Sequence, residues 1–311
     1  MEDKLDIITI GESLVELSAE EKLKDAEYLY KYYGGDALAT AVAAVRLGSK
    51  VGFVTKLGND AFKEFLLDGW KSEGLDISRV TMADERNGLY LIARPCYQQK
   101  EFAFYRKKTA AAKLSVDDIS VDYIQNSKVI YTTGVTQSLS ISARETVKKS
   151  FEIAKEMKIL TAYDPNFNPA VFTVDDAREY FDEISSSVDI LFMSARHDLP
   201  ILGIESVDAA IKYLWDKGIG IVVIKSSADN GYFTGYNGSI VFTEFFTGDV
   251  CDTTCSGDAF NGGFLHGITH GCTPFEAARL ASVVAGLQAK GVGAIKSIPY
   301  HDEVYTIFEG A

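Results

Sequence analysis

Cysteine, histidine and proline are scarce in this chain, at four, four and six among 311 residues. The cysteines (Cys96, Cys251, Cys255 and Cys272) form no CxxC and share no metal-ligand spacing with histidine. That pattern argues against a disulfide frame and predicts reduced thiols in a cytoplasmic protein. Positive charge is short as well: 31 Lys and Arg face 44 Asp and Glu, a formal charge of −13. Such a chain is a poor partner for nucleic acid or an anionic membrane. Any phosphate site must then be built locally, from backbone N–H groups and a few placed cations. No apolar run approaches the roughly 20 residues of a membrane span. The charged start, MEDKLDIITIGESL, has no apolar signal core. Internal repeats, low-complexity tracts and an evident interdomain linker are also missing.

What is present is a soluble globular composition, 47% hydrophobic and 24% charged, ample for a large core. Strand and helix patterns alternate. Strand-like runs end at Gly11 and occupy VGFVTKLG (51–58), 129–134, 159–166, 189–194 and 219–227. Helical spacing is read over 36–47, 61–72, 142–157, 175–187, 206–217, 257–270 and 274–290, the last two closing the chain. This predicts an α/β fold: a mainly parallel sheet with helices on both faces and a ligand at the carboxyl ends of the strands. Polar residues gather at those ends, at 164–166, Ser194 and 225–229. Residues 12–33 and 86–108 break the pattern with alternating aromatic and polar residues. They are expected to form a small antiparallel lid. The body is expected at 1–11, 34–85 and 109–311.

The stretch DTTCSGDAFNGGF (252–264) carries the chemistry. Gly257 and Asp258 open a helix whose apolar stripe is Phe260, Phe264 and Ile268. The first turn of a helix has unpaired N–H groups and the positive end of the helix dipole. The backbone of Cys255, Ser256 and Gly257 can therefore form an anion hole for a phosphate. Asp258 beside it can take a proton from an attacking hydroxyl. Taken alone, Asp258 is equally an ordinary acid in a first helical turn.

The whole string resembles the C-terminal signature of the ribokinase-like, or PfkB, family of carbohydrate kinases. Residues 32–80, opening YYGGDALATAVAAVRLGSKVGFVTKLG, resemble its N-terminal signature, and YDPNFNP (163–169) and FYRKKTAAAKLS (104–115) are most similar to 2-keto-3-deoxygluconate kinases. The resemblance implies a ribokinase-like fold and Asp258 as catalytic base, with Cys255, Ser256 and Gly257 as anion hole. It implies sugar contacts at Gly34, Gly35, Tyr90, Phe104, Arg106 and Asn168. For ATP it implies Ser194, Lys225, Ser227, Asn230, Gly231, Ser282 and Gly293. It also implies Mg2+, and a monovalent cation such as K+ near Asp252 and Thr254.

Departures from the family pattern are equally visible. Ala39 stands for a sugar-binding Asn, Asn168 for an Arg, and Cys255-Ser256 for Gly-Ala. Ser194 and His197 replace an Asn-x-x-Glu that organises Mg2+, with Asp198 as a substitute. Each site residue has a plainer alternative: a lid core aromatic for Tyr90, a solvated cation for Arg106, a turn residue for Asn168, a strand-end lysine for Lys225. Three readings stay open: a kinase for 2-keto-3-deoxygluconate or a related sugar acid; a kinase for a neutral sugar, polyol or nucleoside; and a non-catalytic nucleotide or sugar sensor. A homodimer through the lid is expected.

Overall fold

The computed structural model describes residues 4–96, 99–246, 248 and 250–310. Strands are numbered in chain order: β1 (Ile7–Ile10), β2 (Leu14–Ala19), β3 (Tyr30–Gly34), β4 (Val51–Gly58), β5 (Val80–Ala83), β6 (Gly88–Cys96), β7 (Gln99–Tyr105), β8 (Val129–Thr133), β9 (Leu160–Asp164), β10 (Ile190–Ser194), β11 (Ile221–Ser226), β12 (Gly231–Tyr236) and β13 (Ser239–Glu244).

Nine strands form one sheet in the order β13-β12-β11-β10-β9-β8-β1-β4-β5, parallel except for β12 and β13. Strand periodicity divides the core between its two faces. Ile7 of β1 faces one buried cluster, with the helices Asp36–Arg46, Ser256–Thr269 and Pro274–Gln288. Ile8 and Ile10 face the other, with Ile141–Glu156, Val174–Ile184 and Val207–Asp216. Both faces are covered, as expected for a mostly parallel sheet. From β1 the chain runs to β4 and β5 on one side and later to β8 on the other. The strand order therefore reverses at the β1–β8 junction, where parallel sheets leave a crevice for ligand.

A second sheet, ordered β3-β2-β6-β7, is built from the two aromatic-rich segments. Its outer pairings, β2–β3 and β6–β7, are antiparallel hairpins, whereas the central β2–β6 pair is parallel. Each hairpin comes from a separate excursion of the chain, so their shared seam is free to take either sense.

Besides several helices of five residues or fewer, four elements escape the pattern reading. β5 forms the short edge of the main sheet, and the hairpin β12–β13 forms its other edge. A further helix, His301–Phe308, follows the two expected to close the chain. The hairpin had a local signal: Asn237 and Gly238 both take positive φ, at 48° and 75°, as a two-residue primed turn requires.

Candidate active site

Two helix N-termini meet at the crevice. The helix Asp36–Arg46 and the helix Ser256–Thr269 touch without intervening side chain at Gly262, where a Cβ would lie 2.4 Å from Thr40 O and 2.5 Å from Ala43 Cβ. The Thr40 hydroxyl donates to the Asp258 carbonyl at 3.1 Å. This contact sets Asp36 and Asp258 side by side. Asn166, just beyond β9, bridges them: its Nδ2 donates to Asp36 Oδ2 at 3.2 Å and Asp258 Oδ1 at 3.3 Å. Asn166 adopts φ 45°, a conformation Asn tolerates, and its N–H is held by Asp164 Oδ1 at 2.9 Å.

Burial, reinforced by the Asp36 charge, pushes the Asp258 carboxyl well above the usual carboxylate range, and the Lys225 ammonium opposes this. Burial also raises Asp36, against hydrogen bonds from Thr133 and the Ala37 N–H. A carboxylate tuned upward is a better proton acceptor near neutral pH. Lys225 Nζ lies 2.8 Å from Asp164 Oδ2 and donates to Gly257 O at 3.2 Å. It is thus a half-buried cation at the mouth of the turn. Asn261, fully buried, donates to the same Asp164 oxygen at 2.8 Å and to Tyr131 OH at 3.0 Å.

The turn before Asp258 differs from its expected form in one amide. Ser256 N–H bonds to Thr253 O at 3.2 Å, and its hydroxyl donates to Gln288 Oε1 at 2.5 Å. Among the described residues no protein acceptor takes the N–H of Cys255, Gly257 or Asp258. Among the described residues, the amides left without a protein acceptor are therefore those three, while Ser256 N–H closes the turn on Thr253. Cys255 itself sits at φ 65°, the left-handed region that costs a residue with a Cβ roughly 1 kcal/mol or more.

Beside Asp258 lies a cavity of about 230 Å³ whose lining includes Glu12, Gly35, Tyr90, Phe104, Arg106 and Asn168. Gly35 takes φ 136° and leaves no room for a Cβ, which would meet Glu12 O at 2.5 Å; at Gly34 the Tyr90 hydroxyl lies equally close. Tyr90 and Phe104 are cross-strand neighbours in the lid with stacked rings 5.9 Å apart. Arg106 is ion-paired to buried Glu12 at 2.6 Å and donates to Val135 O at 3.1 Å. Glu12 Oε2 and Arg106 Nε have no hydrogen-bond partner among the described residues. Asn168 lines the cavity while its Oδ1 caps the Ala170 N–H at 2.9 Å, so it serves the turn as well.

On the nucleotide side the structure separates the expected residues. Lys225 adjoins the anion-binding turn, Gly293 N–H approaches Asp252 Oδ2 at 3.4 Å, and Ser227 and Asn230 are exposed on the loop before Gly231. Ser282 is buried, its hydroxyl donating to Glu244 O and accepting from Phe246 N–H, both at 2.8 Å. That hydroxyl ties the chain after β13 to the helix Pro274–Gln288. Ser194 N–H and Phe167 N–H both bond to Asp198, at 2.5 and 3.0 Å. Burial and the Asp164 charge push Asp198 up to about 7. His197 is exposed.

Mg2+ keeps several waters and binds one or two carboxylates plus phosphate oxygens. Both Asp198 oxygens are taken by backbone, and Asp164 carries Lys225, Asn261 and Asn166. Among the described residues no group of three or more His, Cys, Asp or Glu is placed to hold a metal. The donor set fits an ion carried on phosphates and reached through water, with no protein cage.

At the far end of the turn, Asp252 is fully buried. The Lys100 ammonium donates to Asp252 Oδ1 at 2.8 Å, Thr254 Oγ1 at 3.0 Å and Thr253 Oγ1 at 3.4 Å. Arg94 Nε is ion-paired to Asp252 Oδ2 at 2.6 Å. The oxygens expected to hold a monovalent cation thus hold an amino group from the lid.

Asp36, Asn166, Glu12, Asn261 and the Lys100–Arg94 pair were not among the expected site residues. Asp36 stood next to Gly35, and Asn166 belonged to the polar 164–166 cluster, two positions before Asn168. Lys100 and Arg94 had no local signal.

No helix among the described residues is long and apolar enough to cross a membrane. The chain is 29% identical to a 5-dehydro-2-deoxygluconokinase of Clostridium perfringens, over 91% of this chain and 87% of the relative. It is 27% identical to a 2-dehydro-3-deoxygluconokinase of Bacillus subtilis, over 97% and 94%. A proposed ribokinase II from Escherichia coli, solved in complex with ATP and Mg2+, superposes with a TM-score of 0.90 at 21% identity, covering 99% of this chain and all of that one. Residues 4–300 match the pfkB family carbohydrate kinases, and the chain is therefore a member of that family.

Proposed function

We propose that this protein transfers the γ-phosphate of ATP to a primary hydroxyl of a keto-deoxy sugar acid, of the 2-keto-3-deoxygluconate type. One observation carries the kinase reading: the Asp258 carboxyl lines a cavity at the end of a turn in which, among the described residues, the N–H groups of Cys255, Gly257 and Asp258 have no protein acceptor. An acceptor hydroxyl in that cavity loses its proton to Asp258 as its oxygen attacks phosphorus. The N–H groups of Cys255, Gly257 and Asp258 and the nearby Lys225 ammonium take up the charge on the transferring group. Asn166 and Asp36 keep the base oriented. When bound, Mg2+ neutralises phosphate charge. The lid, through Tyr90 and Phe104, excludes water so that the hydroxyl of the acceptor is the one phosphorylated.

The acid reading is supported by the names of the two relatives and by Arg106, whose guanidinium is a cation in the cavity lining. One observation favours a neutral acceptor: buried Glu12 already matches the Arg106 charge. Release of ADP across sugar acids, neutral sugars, polyols and nucleosides decides between them. Turnover confined to neutral acceptors overturns the acid reading. Absence of turnover with retained ATP binding makes the protein a sensor.

A monovalent cation at Asp252 and Thr254 is not carried into this reading, because the Lys100 ammonium stands on those oxygens. A cytoplasmic homodimer is the proposed working form. It is supported by the free Cys251, Cys255 and Cys272 and by the exposed Tyr28, Tyr30 and Tyr105 on and beside the lid's edge strands. A monomer in sedimentation equilibrium overturns the dimer.

A further inference from the structure

A chain of buried polar contacts runs from the acceptor cavity to the anion-binding turn, and most of it belongs to the lid. Tyr90, in the cavity wall, donates its hydroxyl to Glu16, which is buried in β2. The other Glu16 oxygen accepts from Arg94 at 3.3 Å. Arg94 also holds Ser18 Oγ, at 2.6 Å, and reaches Asp252 Oδ2 as described. Asp252 Oδ1 in turn accepts from Thr254 N–H at 3.0 Å and Thr254 Oγ1 at 2.6 Å, immediately before Cys255. Lys100, on the neighbouring strand β7, binds the same carboxylate and both threonine hydroxyls.

The arrangement has two physical consequences. First, the lid supplies two cations to a carboxylate that would otherwise be a lone buried charge behind the phosphate site, repelling the incoming phosphates. Second, Lys100 coordinates with three oxygens in the manner of a bound monovalent ion, but on a four-carbon stem rooted in the lid.

We propose that Lys100 is a tethered monovalent cation and, with Arg94, a positioning residue: the pair latches the lid to the 252–258 turn and so sets the anion-binding amides when the acceptor fills the cavity against Tyr90. The turnover part of this inference rests on the kinase reading. The latch itself does not, since it also governs how well the turn receives ATP.

The test is Lys100→Met assayed in choline, sodium, potassium and ammonium chloride at one ionic strength, with far-UV circular dichroism to confirm the fold. Wild type is expected to vary less than about twofold among the salts. Lys100→Met is expected to lose about tenfold or more in turnover in choline, the scale of a lost charge contact at a transferring group. Potassium or ammonium, small enough for the vacated oxygens, should restore most of it, and choline none. ATP affinity by calorimetry, without acceptor, should follow the same salt order. Arg94→Lys, which keeps the charge, should retain more activity than Arg94→Met.

A folded Lys100→Met whose turnover and ATP affinity ignore the salt overturns the proposal, as does a wild type that needs potassium. If Lys100→Met does not fold, the salt response of wild type and the Arg94 pair decide in its place. If wild type binds ATP but phosphorylates no acceptor, the kinase reading fails while the calorimetric series still decides the latch.

Discussion

Asp252 and Asp258 close the two ends of one short turn, and their surroundings drive them in opposite directions. Burial raises both carboxyls. At Asp252 it is outweighed by hydrogen bonds from Lys100 and Thr254 and by the Arg94 charge, and the net pKa falls below the ordinary value. At Asp258 the neighbours Asp36 and Asp164 add to burial, Lys225 offsets only part, and the net pKa rises. The lid end of the turn therefore holds a permanent anion, paired and structural. The body end holds a carboxyl whose proton can move. The same side chain becomes a fixture or a base according to which sheet supplies its neighbours.

The strongest way to break this contrast is Asp258→Asn. Turnover should fall about 10²- to 10⁴-fold, the usual range for a lost proton acceptor, with ATP affinity kept. Because the folded pKa of Asp258 lies above its unfolded value, its contribution to stability is full at low pH and lost as pH rises through the folded value. Asp258→Asn should thus melt higher than wild type at neutral pH, with the gap closing in acid. A lower melting temperature at pH 7 contradicts the burial of that charge.

Asp252→Asn should do the reverse. Its folded pKa is depressed, so its stabilisation is present above the unfolded value and disappears as pH falls through the folded one. Removing its charge strands Arg94 and Lys100, at a cost of about 3 kcal/mol near neutral pH. Urea unfolding from pH 7 downward should show the deficit shrinking.

Lys225→Met sharpens the contrast without touching either aspartate. Turnover should drop about tenfold to a hundredfold, since a cation at the transferring group is lost. The acidic limb of the pH–rate profile should move to higher pH, because Lys225 is what restrains the rise at Asp258. An unmoved limb would assign that limb to another group.

Cys255→Gly is the mildest change. It relieves a left-handed backbone at a cost of about 1 kcal/mol in wild type, partly offset by the greater freedom of glycine when unfolded. Melting temperature should rise by a few degrees or stay level, with ATP affinity unchanged. A lower melting temperature would show that the buried thiol contributes more than the strain removes.

The sequence pattern reaches the architecture because the period of apolar residues records which face of each element is buried. It reaches Asp258 and Arg106 because they stand in motifs short enough to be read locally. It does not reach Glu12, which answers Arg106 from 94 positions away, nor Lys100, which meets Asp252 across 152. The first pair joins the two lid segments and the second is made by the lid folding back over the body, and nothing in either segment announces the other. The Ser256 amide shows a finer limit: a turn's composition shows that amides can point outward, but not which one closes the turn on Thr253.

The two lid hairpins, joined through the parallel β2–β6 seam, are fastened to the body by four stretches of chain. A plate tied at four points can rock but cannot swing aside like a flap on a single hinge. Any acceptor too bulky for the cavity would hold the plate tilted, lift Arg94 and Lys100 off Asp252, and leave the enzyme idle with ATP bound. Discrimination by size would then act on the speed of phosphate transfer more than on whether the acceptor is admitted.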